Sequence, residues 1–316
     1  MLAIVAPGQG SQTPGFLATW TADAAFADRL RWYSAVCGLD LPHYGTRADA
    51  EAIRDTAIAQ PLLVAAGLAV IQALREAAPA GWTGPEVIAG HSAGELTAAA
   101  AAGVITAEQA IVLSRERGRG MAETAARIES GMAAVVGGDA TEVLAVIERC
   151  GLEAVTYNGP GQVVASGSRR GIAELVTEPP ARARVVPLEI SGGFHSRHVA
   201  HVGELLRDHA RAMDPADPLV ILLSNSDGRV VRTGREALDL IANQVSAPVR
   251  WDLCMRRMID LGVTGMLELA PAGTLTKIAR RALPGVQTFA LHTADQLSDA
   301  CDFALQHHRS PASLAS

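Results

Sequence analysis

Aromatic side chains, lysine, cysteine and long apolar runs are all scarce in this 316-residue chain. Aromatics make up 4% against 49% apolar residues, so a core must come from Ala, Val, Leu and Ile. That apolar share, with only 19% charged residues, excludes disorder as a global description. No window reaches the roughly 18 consecutive apolar residues of a membrane span. The first seven residues, Met1 to Pro7, lack a basic segment and break at Pro-Gly too early for a signal peptide, so a cytoplasmic protein is expected. Lys277 is the one lysine; the other basic residues are Arg, a bias we read as genome composition. A net charge of −6 argues against a general nucleic-acid binder. Cys37, Cys150, Cys254 and Cys301 are widely spaced with no CxxC, which excludes a zinc knuckle and leaves four free thiols as the expectation. The length allows one large domain, or a large one and a small one.

What is present is an alternation of short apolar runs and helical patterns. Leu2–Ala6 reads as a buried strand ending in the turn Pro7-Gly8-Gln9-Gly10-Ser11-Gln12. Gln60-Pro61 is expected to open a helix over 62–74 with proline in its first turn. Glu86–Gly90 reads as a short strand that runs into His91-Ser92-Ala93-Gly94-Glu95 and a helix to about Ala102. Thr106-Ala107-Glu108-Gln109 fits a capping box for a helix to about Met121. From Gly131 the order becomes β-α-β-β-α-β over about sixty residues, that of a ferredoxin-like split unit. Strands near 219–223, 266–269 and 286–291 follow, separated by helices. The expectation is an α/β fold: a large, discontinuous, α/β-hydrolase-like domain with a mainly parallel sheet (1–127 and 192–306). A small ferredoxin-like domain (128–191) is inserted in it, and 307–316 is a flexible tail.

Gly90-His91-Ser92-Ala93-Gly94 matches G-x-S-x-G. Glycines allow a sharp strand-to-helix turn that exposes the serine, and the helix N-terminus offers free N–H groups to a developing oxyanion. A serine hydroxyl needs a base at neutral pH. His195, after an apolar strand and Gly192-Gly193, is favoured over His198 nearby. His43 reads as structural, His201 and His209 as solvated, His307 and His308 as tail residues, and His292 stays open. Glu95 is expected to cap or pair locally, and Asn158 to organise a turn or a domain junction. Gly159-Pro160-Gly161 and Gly118-Arg119-Gly120 are no P-loop, since no Gly-Lys-Ser/Thr follows.

Gly8 to Gln12, Gly90 to Glu95, Arg117-Gly118, Asn158 through Gly167, Gly193-Phe194-His195-Ser196, Pro248-Val249-Arg250-Trp251 and Leu267 to Pro271 occur in this order. Together they resemble the malonyl-CoA:acyl carrier protein transacylases, the acyltransferases of fatty-acid and polyketide synthesis, over about residues 1–290. The resemblance implies that Ser92 accepts the acyl group and His195 is its base. It implies an oxyanion hole at the Gln9 and Ala93 N–H groups, and Arg117 holding the malonyl carboxylate. It also implies that Gln60 lies in the pocket, that His91 and Phe194 belong to the substrate site, and that a main-chain carbonyl near Gln244 orients the histidine. A guanidinium suits such a carboxylate through two parallel hydrogen bonds.

The implied reaction is ping-pong: Ser92 is malonylated by malonyl-CoA, then the phosphopantetheine thiol of acyl carrier protein takes the malonyl group. No cofactor or metal is needed, and a monomer that binds neither nucleic acid nor membrane is expected. A hydrolase on the same scaffold would have no use for a carboxylate clamp. Some positions depart from the family: Ala6 where many relatives have an aromatic, Ala270-Pro271-Ala272-Gly273 for Gly-Pro-Gly, and Arg197-His198 after Ser196. Phe194 resembles the malonyl-selecting form. Carrier proteins are usually acidic, so docking on this acidic chain needs a local basic patch. Arg169, Arg170, Lys277, Arg280 and Arg281 are its candidates.

Overall fold

The computed structural model describes residues 1–79, 82–190 and 192–308. Its fold is α/β, with a mixed six-stranded sheet and a separate four-stranded one. In chain order the strands are β1 (Leu2–Ala6), β2 (Val87–Gly90), β3 (Ser130–Gly137), β4 (Glu153–Gly159) and β5 (Gln162–Ser168). Then come β6 (Ala183–Pro187), β7 (Ile221–Leu223), β8 (Val230–Val231), β9 (Gly265–Glu268) and β10 (Gln287–Ala290). The large sheet runs β10-β9-β1-β2-β7-β8. Five strands are parallel, and β8 closes one edge as an antiparallel partner of β7.

Alternation along these strands feeds two cores, one on each face. Leu2, Ile4, Ala6 and Ile88 face one cluster, while Ala3, Val5, Val87 and Ala89 face the other. The helix Thr56–Ala77 crosses the first face. It is long and apolar enough to cross a membrane by length and composition, yet 78% of that stretch is buried inside the protein. It also starts earlier than the sequence suggests, on the cap Asp55, so Pro61 sits inside it. Proline cannot donate to the carbonyl four residues back. That carbonyl, Ala57 O, instead accepts from Arg115 Nη1 at 3.2 Å.

The four-stranded sheet runs β4-β5-β3-β6 and is antiparallel throughout. Ala133, Val135 and Ala165 pack under the helices Ala140–Arg149 and Arg169–Thr177. Met132, Ala134 and Val164 point the other way, toward the large core. Several contacts tie this unit down. Tyr157 N–H and Val249 N–H each donate across a short parallel bridge. Gly193 N–H donates to Ser130 Oγ. Arg54 pairs with Glu189 at 2.5 Å.

Other boundaries differ from the sequence expectation. The helix from Thr106, with both capping-box bonds present, runs on to Arg127 because Met121 and Thr124 keep its buried face going. The last strand of the small unit is short and ends at Pro187. His307, expected in the tail, is buried as the last residue of the helix Leu297–His307 and shares a hydrogen bond with Thr264 Oγ1. The rest of the expected tail from 309 on, and Ser191, lie outside the described residues. The four cysteines are free thiols.

Candidate active site

The site gathers at the C-terminal ends of the parallel strands, where open α/β sheets leave a crevice. After β2 the chain turns sharply into the helix Gly94–Ala101. Only glycine fits on either side of the turn. A Cβ on Gly90 would lie 2.0 Å from Gly94 C, and one on Gly94 would lie 2.4 Å from Ala6 O. Between them Ser92 is held at φ 53°, a left-handed conformation that a non-glycine residue adopts only under restraint. The restraint is Asn225, which follows β7. Its Oδ1 accepts from Ser92 N–H at 2.8 Å, and its Nδ2 donates to Gly90 O at 2.7 Å.

His195 reaches the serine from the segment after β6, itself at φ 58°. Its Nε2 lies 2.8 Å from Ser92 Oγ, and its Nδ1 lies 2.9 Å from the main-chain oxygen of Gln244. A carbonyl can only accept, so Nδ1 carries the proton and Nε2 is free to accept from the serine. Burial, then the nearby Arg117 charge, pushes the His195 imidazole down to about 3, so it is neutral at physiological pH. His198 is not at the serine; it lies in the next turn, Arg197–Val199.

Arg117 comes from the helix Ala107–Arg127 and is 1% exposed. Its Nη1 donates to Gln60 Oε1 at 2.6 Å, and its Nη2 to Gln244 Oε1 at 3.0 Å and to Ser92 Oγ at 3.3 Å. Burial lowers it to about 10, still cationic at neutral pH. Arg119, two residues on, is exposed and pairs with Glu116. Gln60 is held by donating to Met121 Sδ. A cavity of about 230 Å³ lies over Ser92, lined by Gln9, Gln60, His91, Phe194 and His195, with Leu275 and Ile278 from the helix Thr274–Ala282. His91 Nε2 shares a hydrogen bond with Asn158 Oδ1 of β4, which joins the turn to the small sheet. Among the described residues no hydrogen bond engages the main-chain N–H of Gln9 or Ala93. No group of three or more metal-binding side chains is gathered among them either.

The geometry therefore brings together all nine residues proposed from the sequence. Three features were not foreseen. Asn225 carries no motif beyond a Ser-Asn-Ser run after a strand. The Gln244 side chain, and not only its carbonyl, enters the site. Glu95 does not cap its own helix: it is buried and accepts from Asn225 N–H at 2.6 Å and Gln244 Nε2 at 2.5 Å.

A family model described as acyl transferase domain matches residues 4–296. A malonyl CoA-acyl carrier protein transacylase of Mycobacterium tuberculosis is 43% identical over 300 residues, 95% of this chain and 99% of that protein. The crystal structure of MCAT from Mycobacterium tuberculosis superposes with a TM-score of 0.91 at 42% identity, covering 95% and 99% of the two chains. A malonyl-transacylase in complex with its type II PKS acyl-carrier protein gives a TM-score of 0.88 at 27% identity, covering 95% and 99%.

Proposed function

The chain belongs to the acyl transferase domain family and is an acyltransferase, and we propose that it moves a malonyl group from malonyl-CoA to the phosphopantetheine thiol of acyl carrier protein through an ester on Ser92. The observation that carries this reading is the buried guanidinium of Arg117 beside the nucleophile. Neutral amides hold it and among the described residues no carboxylate touches it, so a substrate carboxylate is its natural counter-ion. An acetyl group would leave that charge unpaired, at a cost on the order of several kcal/mol.

In the first half-reaction His195 Nε2 takes the Ser92 proton as Oγ attacks the thioester carbonyl. The tetrahedral oxyanion is received by the free N–H groups of Gln9 and Ala93. The carbon–sulfur bond then breaks, and the CoA sulfur leaves with the proton from His195. In the second half-reaction His195 takes the proton of the carrier thiol, the sulfur attacks the Ser92 ester, and Oγ regains its proton. Gln244 O steadies the imidazolium through Nδ1–H, in the place an aspartate takes in other serine enzymes. Gln60 and Gln244 aim the guanidinium, and His91 and Phe194 wall the cavity. The strand order and directions of residues 128–191 support a ferredoxin-like small domain. The parallel sheet and serine turn of 1–127 and 192–306 support an α/β-hydrolase-like one.

Intact-protein mass spectrometry after mixing with malonyl-CoA, and separately with acetyl-CoA, tests the reading. A malonyl adduct is expected, absent from Ser92→Ala. Strong acetyl labelling without malonyl labelling would sink it.

A further inference from the structure

Glu95 is a buried carboxylate that the mechanism above does not use. It lies in the first turn of the helix Gly94–Ala101, 4% exposed, three residues after the nucleophile. Its Oε2 accepts from Gln244 Nε2, while Gln244 Oε1 accepts from Arg117 Nη2. The Gln244 amide thus stands between an anion and a cation that never touch. A carboxylate can only accept and a guanidinium can only donate, so one sense of the amide satisfies both. In the flipped sense oxygen would face carboxylate and NH₂ would face guanidinium.

Gln244 Nε2 also donates to Ser92 O at 3.0 Å and to Asn225 Oδ1 at 3.2 Å. We propose that Glu95 is a specificity-determining positioning residue: as the charged acceptor of this group it strengthens the one sense of the Gln244 amide that keeps an acceptor on Arg117, and so aims the guanidinium at the acyl group on Ser92. This rests on the proposed malonyl transfer and deepens it. The selectivity for an acidic acyl group then depends on a residue that the substrate does not contact.

The ionised form of Glu95 is the one that works. A protonated Glu95 would have one acceptor oxygen and one donor for two neighbours that both donate, Asn225 N–H and Gln244 Nε2. Burial raises the carboxyl to about 7, against the pull of Asn225 N–H and the Arg117 charge. The titratable groups facing it are Arg117 from the helix Ala107–Arg127 and the Cys254 thiol from the helix Trp251–Asp260. Cys254 is pushed far up by burial and stays neutral. His195 is already neutral well below the range in question.

The test is single-turnover acylation of the full chain from malonyl-CoA and from acetyl-CoA, read by quenched mass spectrometry across about pH 5 to 9. For wild type, the malonyl-to-acetyl rate ratio should fall as pH drops through about 7. Glu95→Gln should lower that ratio roughly tenfold above pH 7, mainly through the malonyl rate, and leave it flat with pH. A ratio unchanged in Glu95→Gln, or an inflection that persists in it, overturns the proposal. Should Glu95→Gln fail to give a cooperative melt, the wild-type profile decides, and a flat ratio overturns it. A wild type that takes no malonyl group at all would bring down the underlying function as well, a result distinguishable from these.

Discussion

Two strand-to-helix turns flank β1 at the same edge of the large sheet, and they are built to opposite ends. After β9, Glu268 is fully buried and accepts from Gly273, Leu275 and Thr276 N–H, which closes the start of the helix Thr274–Ala282. Those are the donors a helix N-terminus leaves without partners, and here one carboxylate takes three of them. After β2, the buried Glu95 turns to Asn225 and Gln244, the Ala93 N–H has no hydrogen bond among the described residues, and Ser92 is held in a left-handed conformation. One turn spends its carboxylate on stability. The other leaves donors open and strain in place, which is what chemistry at its tip requires.

The contrast is sharpest if opposite substitutions have opposite effects. Ser92→Gly should abolish acyl transfer, by about ten-thousandfold or more, since the nucleophile is gone. It should also relieve the left-handed strain, so the melting temperature should hold or rise, worth up to about 1 kcal/mol. A clear drop in melting temperature would show that the turn is not under strain.

The next effect in size concerns Glu95 and pH. Its folded pKa is raised, so its share of stability is full at low pH and lost as pH rises toward about 7. Relative to Glu95→Gln, wild type should lose about 3 kcal/mol between roughly pH 4 and 8. Parallel melting curves for the two proteins would expose a buried carboxylate that carries no such cost.

Glu268→Gln should do the reverse of Ser92→Gly. It replaces one accepting oxygen by a donor facing backbone N–H groups, a loss of about 2 kcal/mol. Malonyl transfer per folded molecule should stay within about twofold. Denaturant melts and single-turnover rates check the two halves, and a rate that fell with stability would erase the distinction between the turns.

These turns also mark how far the sequence could be read. Gly90-His91-Ser92-Ala93-Gly94 after an apolar run was legible, because a sharp turn requires small residues at fixed spacing. Glu268 was seen only as part of Leu267-Glu268-Leu269-Ala270-Pro271, and its capping role needed the loop geometry. Arg117 shows the limit. Nothing in its side chain separates it from Arg115 and Arg119, and only the family resemblance singled it out. Which arginine turns inward depends on how its helix lies against Thr56–Ala77. Asn225 and the side chain of Gln244 come from distant segments, so their meeting with Ser92 is a property of packing that no local pattern records. The early start of the Thr56–Ala77 helix has the same character, since Arg115 from another helix supplies the donor that Pro61 lacks.

The smallest expected effect concerns the helix that the closed turn launches. Leu275 and Ile278 line the cavity over Ser92, while Lys277, Arg280 and Arg281 are exposed on its outer face. Arg169 and Arg170 start a helix of the small unit instead, and Arg170 is already paired with Glu174. An acidic carrier approaching the cavity along this helix would meet the first group. Exposed pairs are worth little and are screened by salt, so Arg280→Glu with Arg281→Glu should raise the carrier KM by only about three- to tenfold at low salt. The KM for malonyl-CoA should not move, and the effect should shrink as salt is added. Equal changes in both constants would mean that the helix start, closed by Glu268, serves the cavity wall alone and presents no docking face.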